Sequence, residues 1–132
     1  MSFLLDTDIC SAYLKGNNRV HGRFIQYGGR MHVSAVTAGQ LFTWALVAGP
    51  TSARMQRLLK LLRDATFLDV DRTVSEKFGE LRVQQAKRGQ RTPDMDLLIA
   101  ATAVVHNLTV VTHNQKHFTT VPGLNLQDWL AP

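Results

Sequence analysis

The amino-acid sequence predicts an α/β fold built on a central parallel sheet, and three observations predict it. Short unbroken apolar runs, such as Phe3-Leu4-Leu5, have the pattern of strands covered on both faces. Segments with helical apolar spacing separate those runs along the whole chain. Polar side chains stand where two of the runs stop, at Asp6 and Asn114, and ligands of parallel sheets bind outside the carboxyl ends of the strands.

Phe3-Leu4-Leu5 reads as the first strand. Thr7 and Asp8 offer capping side chains for a helix through about Lys15, which Gly16-Asn17-Asn18 breaks. A second helix spans Val20 to Tyr27 and closes at Gly28-Gly29, and Met31-His32-Val33 is the next strand. Ser34 or Thr37 caps a helix carrying Gln40, Leu41, Trp44 and Ala45 toward Gly49-Pro50. From Ser52 to Arg63, Met55, Leu58, Leu59 and Leu62 recur at helical spacing among Arg54, Arg57 and Lys60. Thr66 to Val70 reads as a strand, Thr73 to Lys87 as an amphipathic helix ended by Gly89, and Thr92-Pro93 as a helix start with Pro in a permitted first-turn position. The β-prone run Leu108 to Thr112 follows, and Leu124 to Trp129 adds a last short strand.

With 132 residues, 45% of them hydrophobic, the chain is long enough to bury a core without staples, as one domain spanning residues 1–132. Cys10 is the only cysteine, which excludes an intramolecular disulfide or a cysteine-built zinc site and fits a reducing cytoplasm. No signal peptide is expected at the N-terminus, and the longest apolar run, around Leu97 to Val105, is too short to span a bilayer. A net charge of +5 points toward an anionic partner. Surplus positive charge around a few acids at one rim resembles a metal-dependent enzyme acting on a polyanion. Dinucleotide-binding glycine turns, phosphate-cradling loops and nucleophile elbows are all absent.

Two readings of Asp6 stand side by side, metal ligand and helix cap. Asp8, two residues on, reads as a cap for the first helix. Asp94 and Asp96 both complement the dipole of the helix that Pro93 opens, but positions two apart face opposite sides, so one of them reaches a common site. Asp96 adjoins the buried end and is the choice. Gln40 alone reads as a boundary amide. His113 and His117, four apart, suggest a metal only weakly, since no HExxH pattern accompanies them and the segment reads as a loop. Trp44, Phe42 and Phe118 read as core or interface residues.

LLDTD at positions 4–8, VSAVTAGQL at 33–41, TPDMDLLIAATAVVHNLTVVTHN at 92–114 and the tail HFTTVPGLNLQDW together resemble the PIN-domain family, and within it the VapC-type toxins of bacterial toxin–antitoxin pairs. The resemblance runs in order over essentially the whole chain. DLLIAATA followed by the T-x-N turn is its most specific part. It implies a three-layer α/β/α fold, a homodimer, and an endoribonuclease that uses Mg2+ or Mn2+ and metal-activated water to hydrolyse RNA phosphodiesters. Asp6 and Asp96 correspond to the family's metal-holding acids, and Asn114 to its polar position after the late strand. Gln40 stands where the family has a glutamate and brings no negative charge. Magnesium needs only one or two carboxylates besides water and substrate phosphate, so Asp6 and Asp96 suffice in principle.

Arg82, Lys87, Arg88 and Arg91 are candidates for docking the RNA backbone. The implied partner is a small VapB-like antitoxin that covers the acidic cleft. A competing reading, for which Gln40 speaks, is a catalytically silent PIN module that binds RNA or antitoxin without cutting. A receiver-like signalling domain fits poorly, because Asp69 falls mid-strand in this reading and Lys116 lies beyond a His-rich turn.

Overall fold

β1 (Phe3–Leu5) is the middle strand of a five-stranded, wholly parallel sheet in a computed structural model that describes all 132 residues. Its neighbours are β2 (Met31–Ser34) on one side and β4 (Thr109–Val111) on the other, with Phe3 opposite both Met31 and Thr109. β3 (Thr66–Leu68) extends the sheet beyond β2, and β5 (Leu126–Gln127) beyond β4, giving the order β3-β2-β1-β4-β5. The chain therefore leaves β1 toward one edge and returns to its other side at β4. This reversal opens a crevice at the carboxyl ends of β1 and β4.

Six helices fill the crossovers: α1 (Thr7–Leu14), α2 (Asn18–Gln26), α3 (Ala35–Val47), α4 (Ala53–Asp64), α5 (Arg72–Lys87) and α6 (Asp94–His106). Alternation along β1 divides the core. Phe3 and Leu5 join Ile9, Val20, Leu41 and Leu58 on the face covered by α1 to α4. Leu4 joins Val74, Leu81, Leu97 and Ile99 on the face covered by α5 and α6. The layers are thus α/β/α, as the family resemblance implies. The C-terminal Trp129 is buried and meets Phe3 edge-on at 5.1 Å, so the short β5 is anchored by an aromatic plug in the first core.

The boundaries shift where a capping side chain decides them. Asp6 itself caps α1 by accepting from the Thr7 N–H, Asn17 starts α2 early by accepting from Val20, and Asp71 starts α5 one residue ahead of Thr73. Of the two candidates for α3, Ser34 is the cap. β3 ends at Leu68 rather than Val70, because only Thr66 to Leu68 find partners on β2, so Asp69 lies beyond the strand. Asn107 closes α6 in the left-handed conformation at φ 53°, which an asparagine tolerates. No helix is long and apolar enough to cross a membrane.

Candidate active site

The crevice at the ends of β1 and β4 holds an open cleft of about 420 Å³, lined by Asp6, Thr7, Asp8, Ser11, Gln40, Asp96 and Asn114. Every one of these side chains is polar and none is basic. All four residues singled out from sequence are among them. Asp6 arrives at the exit of β1, Asp8 and Ser11 on the first turns of α1, Gln40 from α3, Asp96 from the first turn of α6, and Asn114 from the turn after β4.

Asp6 is the most deeply set, at 7% exposure. Its Oδ1 accepts from the Thr7 N–H at 2.8 Å and its Oδ2 from the buried Thr112 hydroxyl at 2.8 Å. Cap and cleft residue are therefore one and the same here. Burial, helped by the negative charges of Asp8 and Asp96, pushes its carboxyl up to about 6, against the pull of the two donors.

Asp8 departs from its expected role. It does not cap α1; it lines the cleft, taking the Ile9 N–H on Oδ1 and the His113 N–H on Oδ2, and burial raises its carboxyl as well. The spacing carried a partial signal: with Asp6 as the cap in extended backbone, Asp8 falls in the same helix's first turn, near the sheet edge where that helix begins.

The two acids of α6 separate as their spacing requires. Asp94 turns outward to Arg82 at 2.7 Å and Arg91 at 3.5 Å, whereas Asp96 turns to the cleft and accepts from His117 Nδ1 at 2.8 Å. Arg82 and Arg91, two of the candidates for RNA docking, thus already face a carboxylate, while Lys87 and Arg88 are exposed. His113 and His117 engage different acids, Asp128 and Asp96, and do not face one another on a helix. Gln40 Oε1 accepts from the Thr7 hydroxyl.

Phe118 is fully buried, Phe42 and Trp44 pack partly against the first core, and Arg54 lies over the Trp44 ring. The fully buried Cys10 thiol is driven far toward its neutral form and takes no part.

Three carboxylates and no cation form a site that gains from a positive ion. The oxygen-only donor set suits a hard divalent ion such as Mg2+ or Mn2+. No three His, Cys, Asp or Glu side chains stand close enough to hold an ion by themselves, and magnesium needs only one or two carboxylates besides water and substrate.

Residues 3–124 match the PIN domain. The chain belongs to the PIN-domain family. Over 98% of its length it is 29% identical to the tRNA(fMet)-specific endonuclease VapC of Shigella flexneri, of which it covers 98%. Among solved structures, it superposes on VapBC2 from Rickettsia felis bound to a promoter DNA fragment with a TM-score of 0.88 and 25% identity, covering 98% of this chain and 99% of that one. DNA-bound VapBC from Salmonella typhimurium gives a TM-score of 0.82 at 28% identity, with 98% of both chains covered.

In this PIN domain, three contributors escaped the sequence reading: Asp8, Thr112 and His117. Thr112 and His117 act on acids far away in the chain, at separations of 106 and 21 residues, which no local pattern encodes.

Proposed function

We infer that this chain is the endoribonuclease toxin of a type II toxin–antitoxin pair. Its VapC relatives are named as endonucleases, and their VapBC complexes support a VapB-like antitoxin as its partner. Hydrolysis of RNA phosphodiesters with Mg2+ or Mn2+, and assembly as a homodimer, belong to the same reading. The observation that carries the metal-dependent mechanism is the all-polar cleft, where Asp6, Asp8 and Asp96 meet without a counter-charge.

A bound divalent ion supplies Lewis acidity, acidifying an attacking water and offsetting charge on the phosphate. The chain supplies the rest. Asp6 and Asp96 would hold the ion. Thr7 and Thr112 aim the Asp6 carboxylate, so it enters the reaction without rearranging. Thr7, Ser11, Gln40 and Asn114 offer neutral hydrogen bonds to phosphate or ribose oxygens. No serine or cysteine nucleophile is needed.

The second reading, a silent module, rests on Gln40. Asp8 weighs against it, because a third carboxylate at the cleft supplies charge that Gln40 lacks. RNA cleavage by wild type, Asp96→Asn and Gln40→Glu, with Mg2+ and with a chelator, tests both readings. Cleavage by wild type that chelator and Asp96→Asn abolish supports the nuclease. Cleavage by Gln40→Glu alone supports the silent module, and undiminished cleavage by Asp96→Asn would sink the assignment of the site.

A further inference from the structure

We propose that His117 is a positioning residue that aims Asp96 into the cleft, and that a buried Gln85–Thr92 bracket holds His117 in place. The inference rests on the metal-dependent reading of the cleft. His117 Nδ1 lies 2.8 Å from Asp96 Oδ2. An ionised carboxylate can only accept, so Nδ1 carries the proton and the ring donates. With Oδ2 committed to the ring, Oδ1 is the oxygen left for the cleft. Without this donor nothing else in the protein bonds the Asp96 carboxylate, whereas Asp94 on the outward side of the same turn is held by Arg82 and Arg91.

His117 sits on a three-residue 3₁₀ turn, Gln115–His117, which is too short to hold a side chain by itself. What fixes it comes from α5 and the segment that leads into α6. The Thr92 hydroxyl donates to the His117 carbonyl at 2.9 Å. The Gln85 amide nitrogen donates to that hydroxyl at 2.8 Å and to Thr120 at 3.2 Å, and its oxygen accepts the Thr92 N–H at 3.1 Å. Gln85 and Thr92 are each 1% exposed.

Placing a neutral amide at that depth is costly unless all its groups are met, and here both amide hydrogens and the oxygen have partners. A satisfied buried network is stiff. It clamps α5, the approach to α6 and the turn into one unit, and Phe118, next to His117 in sequence, is fully buried in the second core. The bracket thus couples the segment carrying Asp96 to the segment carrying its donor.

The test is Mn2+ titration of the full chain by calorimetry, with Tm followed for each variant. His117→Leu removes the donor at a partly exposed position, and His117→Asn returns an N–H to it. The expected result is Mn2+ binding about tenfold weaker in His117→Leu, largely recovered in His117→Asn, with Tm close to wild type in both. Thr92→Val, which deletes the hydroxyl that holds the turn, should weaken Mn2+ binding in the same direction. Wild-type affinity in His117→Leu, or no recovery in His117→Asn, overturns the positioning role while leaving the metal site intact. Wild-type affinity in Thr92→Val overturns the bracket. A folded wild type that binds no Mn2+ overturns the metal reading itself, and the inference with it.

Discussion

The Thr112 hydroxyl donates to Asp6 Oδ2 at 2.8 Å across 106 residues of sequence, tying the end of β4 to the end of β1 at the point where the sheet reverses. The same hydroxyl accepts the Asn114 N–H at 3.0 Å, so one buried threonine orients the deepest acid of the cleft and the turn that carries Asn114. Thr112→Val keeps the shape and removes both bonds. Hydrogen bonds to charged groups contribute about 1.5–3 kcal/mol, and an unfolding titration should register a loss of that order. Because the hydroxyl favours the ionised carboxylate, its removal should also move the onset of Mn2+ binding to higher pH.

The raised Asp6 carboxyl makes stability depend on pH with a definite sign. Folding lifts it from 3.8 to about 6, so the native state holds this proton more tightly than the unfolded chain. Its contribution is full below about 3.8 and is lost as pH rises through about 6. A difference of that size corresponds to about 3 kcal/mol. Asp8, also raised, adds a slope of the same sign. Chelator-treated protein should therefore lose stability to urea between pH 4 and pH 6, and Asp6→Asn should flatten the curve. Divalent ions demand the deprotonated form, so their affinity should climb over the same interval. A metal-free stability that rises through this window would contradict the buried, uncompensated acid.

The fold was legible because apolar runs and helical spacing are local, and local order sufficed to place Asp6 and Asn114 beyond the strands that present them. Gln40 and Asp96 were found through the family resemblance, and Asp96 also through its contrast with Asp94. What stayed hidden was every interaction that depends on two distant segments meeting. His117 reads as a loop histidine until α6 brings Asp96 to it, and Gln85 as a polar residue on an amphipathic helix until Thr92 and Thr120 close around its amide. Asp8 differs for a local reason: Asp6, two residues earlier, fills the capping position that the sequence also offers to Asp8, which leaves Asp8 to line the cleft.

Charge balance in the cleft gives a paired expectation for Gln40 and Asp8. Gln40→Glu adds a carboxylate beside Asp6 and Asp96 and should tighten Mn2+ binding. Asp8→Asn removes one and should weaken it, and Gln40→Glu in the Asp8→Asn background should restore much of the loss. Each change alters Coulomb energy at short range, where one charge amounts to a few kcal/mol at an effective dielectric near 20. Additive behaviour in calorimetric titrations of the four proteins supports a site governed by total charge. An Asp8→Asn protein with wild-type affinity would confine Asp8 to its bonds with Ile9 and His113.

The two acids of α6 offer the sharpest contrast, because they share a helix turn and differ only in direction. Asp94 is exposed and faces Arg82 and Arg91, while Asp96 faces the cleft. Exposed ion pairs contribute roughly 0–1 kcal/mol, so Asp94→Asn should leave stability nearly unchanged and cleavage per bound metal unchanged. It also frees Arg82 and Arg91 from their partner, which should tighten RNA binding at low salt and steepen its salt dependence. Asp96→Asn should abolish cleavage with little change in Tm. Filter-binding isotherms across a salt series, run beside the cleavage assay, separate the two roles: if Asp94→Asn lost cleavage as completely as Asp96→Asn, the proposed division of the helix into an outward face and a cleft-facing one that serves cleavage would be wrong.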